Sequence, residues 1–435
     1  MRVIKPSKIV ARGLCWPRGH EKSTGDGILM KSGWLRCALV VCGLMFWVSC
    51  GGSSRSTFLY LASQGANPGE ITAYRLDLNH GTLNSSNGAL VQNGKSFATG
   101  VQPGPMIFDP TNNFAFVADF GNPLGNQGGD IAAFSVNKDG TLSSLGLTAT
   151  PMSCVTLNPV ALSMDSKGQF LFVANQAFYN VSGGATCPTQ PANGTPAPGF
   201  ITVFPVSSGK LGAGTSTPLP VPPGTTTTVP TPSAVAVSNL GSFVYVTDST
   251  NAVVDGFAYD ANGTLSFVPG QFFTVGNTPK AVLSPPAGAF LYVANSGTND
   301  IYEFAINTDG SLVPISATTT IIGTGLGPTA MLTDPTAKYL YALANNGSQI
   351  TGYTVNHVTG ALTAITVNGG TVSTGANPVA FTIRSDGSTR GDFWVFTSNF
   401  GANSVSSYLL NGATGTLSPL PQLTAPVGPF GILAH

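Results

Sequence analysis

The apolar positions of this chain fall into short blocks, and the blocks recur. One block runs through an aromatic residue and ends in Asn, Asp or Ser. It appears seven times, at Phe58 (FLYLAS), Phe114 (FAFVAD), Phe170 (FLFVAN), Phe243 (FVYVTD), Phe290 (FLYVAN), Tyr339 (YLYALAN) and Phe393 (FWVFTSN). Near-continuous apolar runs of this length, bounded by turn residues, predict strands. An alternating block follows each one, beginning at Ile71, Ile131, Ile201, Val253, Ile301, Ile350 and Val405. A Gly-x-Leu triplet comes next, at Gly81, Gly140, Gly209, Gly263, Gly310, Gly360 and Gly415. Six repeats also carry a Pro-x-x-apolar segment ahead of the aromatic block, at Pro105, Pro159, Pro232, Pro279, Pro328 and Pro378.

Four short strands per unit, at a spacing of about 50 residues, predict a β-propeller blade. We name the strands A (after the Pro), B (the aromatic block), C (the alternating block) and D (outermost). The first repeat lacks strand A, and the chain ends with Pro429-Phe430-Gly431-Ile432-Leu433, which has the A pattern and no blade to follow. The C-terminus is therefore expected to supply strand A to the N-terminal blade, closing the ring and removing a free edge. The predicted fold is all-β, a seven-bladed propeller over residues 58–435. A tandem of β-sandwiches would not explain why the two termini match.

Composition agrees. Of 435 residues, 54 are Gly and 32 are Pro, too many for a helix-rich enzyme, and they follow no collagen period. A 42% hydrophobic content argues against disorder. The formal net charge is zero, which argues against a basic nucleic-acid binder.

That zero averages over unlike parts. Cys37–Val48 is an apolar run of 12, too short to span a membrane and suited to a signal-peptide core. Lys31 and Arg36 precede it, and Ser49-Cys50-Gly51-Gly52 follows, which resembles the lipobox of bacterial lipoproteins. The expectation is cleavage before Cys50, lipidation of Cys50, a short tether over 50–57, and attachment at the bacterial cell envelope, in the outer membrane or facing the periplasm. Trp47 stands where that motif usually has Leu, and ordinary cleavage nearby or an uncleaved anchor is the other reading. Met30 heads a complete signal peptide by itself, so residues 1–29 read as an extension. Eight of the 18 basic residues and two of the 18 acids precede Cys50, leaving the mature chain with 10 and 16, net −6.

The repeat resembles the lactonase-like seven-bladed propellers, which include bacterial phosphogluconolactonases and fungal muconate-lactonizing enzymes. Phe290–Asn295, Ile301–Ile306 and Gly310-Ser311-Leu312 carry the resemblance, and it covers 58–435. It implies the propeller fold. For activity it implies less, since one fold hosts many functions.

In a four-stranded meander, the A–B and C–D turns share one face, and the B–C and D–A loops share the other. The turn face carries Asp139-Gly140, Asn262-Gly263, Asp309-Gly310 and Asp386-Gly387, which read as turn chemistry. His80, His357 and the terminal His435 read as solvated surface residues. The loop face is where a propeller is expected to bind its ligand. Blade 3 has long insertions there, at about 176–199 and at Gly212–Pro230, whose Pro, Thr and Gly content predicts extended, solvated loops. Cys154 and Cys187 fall on that face of that blade, so a disulfide is expected in an exported protein.

Lactone hydrolysis needs activated water and donors for a developing oxyanion. The family resemblance places such groups just after the A-strand Pro, where this chain has Met106, Val160, Ser233, Lys280, Thr329, Val379 and Phe430. Only Lys280 is basic, and no His falls on that face. Acids expected there are Glu70, Asp119, Asp130, Asp248, Asp255 and Asp300, with Lys95 as the other base. Such a face would repel a phosphorylated sugar lactone. The candidate site is Asp119, Asp248 and Lys280, with B–C loop capping as the competing role for the two acids. No metal, cofactor or nucleic-acid motif is present. The sequence thus reads first as an exported, lipid-anchored, monomeric binding module for a small molecule or an envelope protein. A divergent lactone hydrolase is the alternative.

Overall fold

The computed structural model describes residues 57–65, 68–77, 82–83, 96–122, 128–149, 155–179, 196–224, 228–315, 325–387 and 391–435. The leader, Cys50, His80, Lys95, Cys154 and Cys187 lie outside these residues, and with them the expected anchor and disulfide.

Seven antiparallel sheets form the blades, each ordered A-B-C-D from the inside out. In blade 5 the strands are Pro279–Leu283, Phe290–Asn295, Asp300–Ile306 and Leu312–Pro314. The seven A strands touch in sequence around a ring that passes from blade 7 back to blade 1. Blade 1 is closed as expected: the C-terminal strand Pro429–Ala434 pairs antiparallel with Thr57–Ser63, Tyr60 opposite Leu433 and Leu61 opposite Ile432.

The B strands are continuously apolar because each blade is packed on both faces. One hydrophobic core fills each junction. Phe58 and Tyr60 of blade 1 meet Phe134 and Leu142 of blade 2; Phe172 of blade 3 meets Val246 and Phe257 of blade 4; Trp394 and Phe396 of blade 7 meet Leu59 and Leu61 of blade 1. Each fully buried Phe or Leu stabilises the fold by about 1.5–3 kcal/mol relative to exposure.

The Gly-x-Leu turns are explained by the same junctions. Gly310 has φ +83, and a Cβ there would lie 2.5 Å from the Phe243 ring of the preceding blade. Gly360 lies likewise against Phe290, and Gly140 against Phe58. In blades 1 to 6 the first aromatic of the B-strand block rests on the turn glycine of the next blade. Asx side chains brace these turns: Asp139 accepts from the Thr141 amide at 3.0 Å and its hydroxyl at 2.7 Å, which hold its carboxyl below the usual range.

Three expectations need correction. In blade 2 the proline equivalent to the others is Pro103, not Pro105. Pro103 lies opposite Asp119, as Pro232 lies opposite Asp248 and Pro279 opposite Asn295. Pro103-Gly104-Pro105 offers two prolines, and only the bulged pairing selects one. The blade 3 insertions are also partly sheet. Strand B extends over Phe170–Tyr179 and strand C over Pro196–Ser207, while Thr215–Pro218 pairs with Ile201 and its neighbours as an outer strand. Val155, Leu157, Ala177 and Ala197 give this extension a small core of its own. Finally, His435 is half-buried against Phe108, with ring centroids 5.6 Å apart, and Nε2–H donates to the Asn112 carbonyl at 3.1 Å. Burial lowers its pKa. His357 is exposed as expected.

Candidate functional site

On the loop face every B strand has one equivalent position, occupied by Ser63, Asp119, Asn175, Asp248, Asn295, Ala344 and Asn399, all at most 1% exposed. Where this residue is Asp or Asn, its side chain bonds a neighbouring strand or loop. Asp248 accepts from the amides of Thr231 (3.0 Å), Thr250 (3.0 Å) and Asn251 (3.2 Å), and from Asn251 Nδ2 at 2.5 Å. It thereby joins the D–A loop to the B–C loop. Asn175 donates to Thr202 Oγ1 at 2.9 Å, and Asn399 to Ser406 Oγ at 2.9 Å.

Blades 2 and 5 use this position differently. In blade 5, Asn295 lies opposite Asp300 and donates Nδ2–H to its Oδ1 at 2.6 Å. In blade 2 the same pair is Asp119 opposite Asp130. Asp119 Oδ2 accepts from the Gly100 amide at 2.9 Å, but Oδ1 of each acid has no N–H or O–H donor. Two carboxyls so placed satisfy each other by sharing a proton. Burial first, and the Asp130 charge after it, drive the Asp119 pKa well above the ordinary carboxylate range. Burial does the same for Asp130. Asp255 of blade 4 is wholly buried, with neither oxygen hydrogen-bonded, and its pKa is raised strongly by burial and by Asp248.

The six acids therefore do not form a charged surface. Asp119, Asp248, Asp255 and Asp300 are buried beneath the loops. Neither Asp119 nor Asp248 is joined to Lys280 by a hydrogen bond or ion pair among the described residues. Blade 3 separates the blades of the two acids, and both side chains are closed off from solvent.

Lys280 differs. It follows Pro279 at the loop-side end of the innermost strand of blade 5 and is half-buried. It has no hydrogen-bond or ion-pair partner among the described residues. Burial lowers its pKa from 10.5. It is the one Lys or Arg that the described residues place on this face. The equivalent positions around the axis are Gly104, Val160, Ser233, Thr329, Val379 and Phe430. Ser233 Oγ is committed, donating to the Pro279 carbonyl at 2.6 Å and lying 2.8 Å from Thr247 Oγ1. Thr329 Oγ1 is buried without a partner.

Sequence reasoning missed one feature. Phe120 and Phe400, each directly after a B strand, converge on Phe430: Phe120–Phe430 centroids lie 5.2 Å apart and Phe400–Phe430 centroids 6.3 Å, both edge-on. Phe120 lies across Gly104, whose Cβ would sit 2.4 Å from its ring. The signal available was an aromatic directly after the B-strand Asp or Asn, in Asp119-Phe120 and Asn399-Phe400. No group of three or more His, Cys, Asp or Glu among the described residues could hold a metal ion.

Residues 71–198, 199–322 and 269–373 match the family model described as lactonase, seven-bladed β-propeller. No curated protein sequence matches the chain significantly. Similar solved structures include a Bacteroides fragilis protein assigned to the 6-phosphogluconolactonases. It is 19% identical, with TM-score 0.66, and the match covers 88% of this chain and 99% of that one. A periplasmic gluconolactonase from Pseudomonas aeruginosa is 18% identical at TM-score 0.66, covering 87% of this chain and 99% of that one. A Lactobacillus plantarum protein is 17% identical at TM-score 0.65, with 87% and 99% covered. At these identities the structural likeness concerns the fold.

Proposed function

The chain belongs to the lactonase family of seven-bladed β-propellers, and on that premise we propose that it is a lactone hydrolase working at the loop-side mouth of its axis. The observation that carries this reading is Lys280, a half-buried ammonium with no partner among the described residues, at the inner-strand position that borders the axis. An unpaired, partly desolvated cation is costly unless it serves a ligand. The acidic repulsion expected from sequence is weakened, because four of the six acids, Asp119, Asp248, Asp255 and Asp300, are buried beneath the loops and Glu70 and Asp130 are half-buried. The Pseudomonas aeruginosa neighbour is a gluconolactonase, which belongs to this reaction class.

In this reading water adds to the lactone carbonyl carbon and the ring acyl–oxygen bond breaks. The proton lost by water ends on the released alkoxide oxygen. Lys280 holds the carbonyl oxygen and stabilises the negative charge that grows on it. The test is a lactone panel at neutral pH with Lys280→Ala and Lys280→Met. Loss of about 10²–10³ in kcat is expected for a missing oxyanion donor. Hydrolysis that is unchanged in both variants, or absent from the native protein, overturns the proposal.

A binding role at the envelope is the second reading. It is favoured by exposed apolar residues on the loop face, Val427 at 66%, Leu326 at 61% and Phe400 at 37%. Either role is compatible with export and with anchoring through Cys50, which we also propose. Labelling with a radioactive fatty acid, abolished by Cys50→Ala, tests the anchor.

A further inference from the structure

The seven inner-strand positions around the mouth are not mixed. Val379, Phe430, Gly104 and Val160 come from the consecutive blades 7, 1, 2 and 3, and none has a polar side-chain atom. Ser233, Lys280 and Thr329 come from the consecutive blades 4, 5 and 6. The mouth is thus divided into an apolar arc and a polar arc. The apolar arc is deepened by Phe120 and Phe400, packed edge-on against Phe430. Within the polar arc Ser233 is already bonded to Pro279 and Thr247, and Thr329 Oγ1 is buried, so Lys280 Nζ is the side-chain atom left for a ligand.

From this segregation we infer that the preferred substrate is an amphiphilic lactone, with its ester group on the Lys280 side and a hydrocarbon substituent on the Phe120–Phe430–Phe400 side. The inference rests on the hydrolase reading of the same site. A polyhydroxylated sugar lactone fits this mouth poorly. Its several hydroxyls would meet the Lys280 ammonium on one side and phenylalanine edges on the other, and each hydroxyl left unpaired on binding costs affinity. An alkyl or aryl substituent has the opposite balance, because its burial against three aromatic rings is favourable and needs no hydrogen bonds. The arrangement therefore selects by what it lacks as well as by what it offers.

The test compares δ-valerolactone, δ-decanolactone and glucono-δ-lactone with the full mature protein. The expected result is a kcat/KM for δ-decanolactone at least about tenfold above both others, the scale on which an apolar pocket discriminates. Phe430→Ala and, separately, Phe400→Ala should reduce the decanolactone-to-valerolactone ratio by about tenfold. Lys280→Ala should lower turnover of both lactones and leave that ratio in place. Preference for glucono-δ-lactone, or a ratio unmoved by both phenylalanine variants in folded protein, overturns the inference. Calorimetric titration with 5-hydroxydecanoate and with gluconate separates it from the hydrolase reading. Tighter binding of 5-hydroxydecanoate, weakened by Phe430→Ala, sustains the amphiphilic site even where no lactone is turned over, and equal or weaker binding rejects it.

Discussion

Tyr292 of blade 5 donates its hydroxyl hydrogen to the carbonyl oxygen of Gly360 in blade 6, at 2.7 Å. The bond repeats around the ring. Tyr60 reaches Gly140 at 3.1 Å, Tyr245 reaches Gly310 at 2.7 Å and Tyr341 reaches Gly415 at 2.8 Å. Each joins the third residue of a B strand to the Gly-x-Leu turn of the following blade. The two halves of the repeat motif, far apart within a blade, are contact partners between blades. Phe116 and Phe172 occupy the tyrosine position in blades 2 and 3, where ring packing holds the junction without the hydroxyl.

Tyr292→Phe is therefore expected to fold and to lose about 1 kcal/mol, the net worth of one buried hydrogen bond. The measurement is the urea midpoint, which should fall with the slope unchanged. Gly310→Ala should cost more, about 2–3 kcal/mol, because it adds a Cβ 2.5 Å from the Phe243 ring at a φ of +83. A smaller loss for Gly310→Ala than for Tyr292→Phe would refute the packing account.

The carboxyl pair of blade 2 predicts a pH dependence. Asp119 is pushed up to about 8, first by burial, so the folded protein keeps a proton that the unfolded chain releases near the ordinary value of 3.8. Stability from this group is complete below about pH 4 and declines as the pH rises to about 8. Asp119→Asn should flatten that decline. Its amide can donate to Asp130 as Asn295 does to Asp300, while its oxygen keeps the Gly100 amide. The expected gain at pH 8 is about 1–3 kcal/mol, the cost of an unsatisfied buried polar group. Thermal unfolding at pH 5 and pH 8 checks it, and equal losses between those pH values in both proteins would remove the pair as the cause.

Ring closure depends on one short strand. Deleting residues 429–435 removes the inner strand of blade 1 and exposes the edge of Thr57–Ser63. It also removes Ile432 from the junction core between blades 7 and 1. The shortened protein should unfold at lower denaturant and associate through the open edge, read by gel filtration. A monomer with native stability would show that closure contributes little.

With the export we propose goes a proposed Cys154–Cys187 bridge, closing a loop of about 33 residues and contributing roughly 3 kcal/mol. Denatured mature protein should show no reaction of these two cysteines with a thiol reagent before reduction and reaction of both afterwards. Two free thiols without reductant would disprove the bond.

The sequence by itself determined the blade count, the strand order and the closure by Pro429–Ala434. Each of these rests on local patterns, since an apolar run between turn residues has one way to be buried and seven copies leave one way to close. It also singled out Lys280. The tertiary structure alone decided which residues face a ligand. Asp119, Asp248, Asp255 and Asp300 read as an acidic surface from strand position, yet all four are buried: Asp248 and Asp300 accept hydrogen bonds, and burial raises the pKa of Asp119 and Asp255. Phe120 lies about 300 residues before Phe400 and Phe430 along the chain, and the three meet because the ring brings blades 7, 1 and 2 together. Pro103 rather than Pro105 begins its strand because a bulge sets the register. Burial and convergence are properties of the closed ring, and no single repeat contains them.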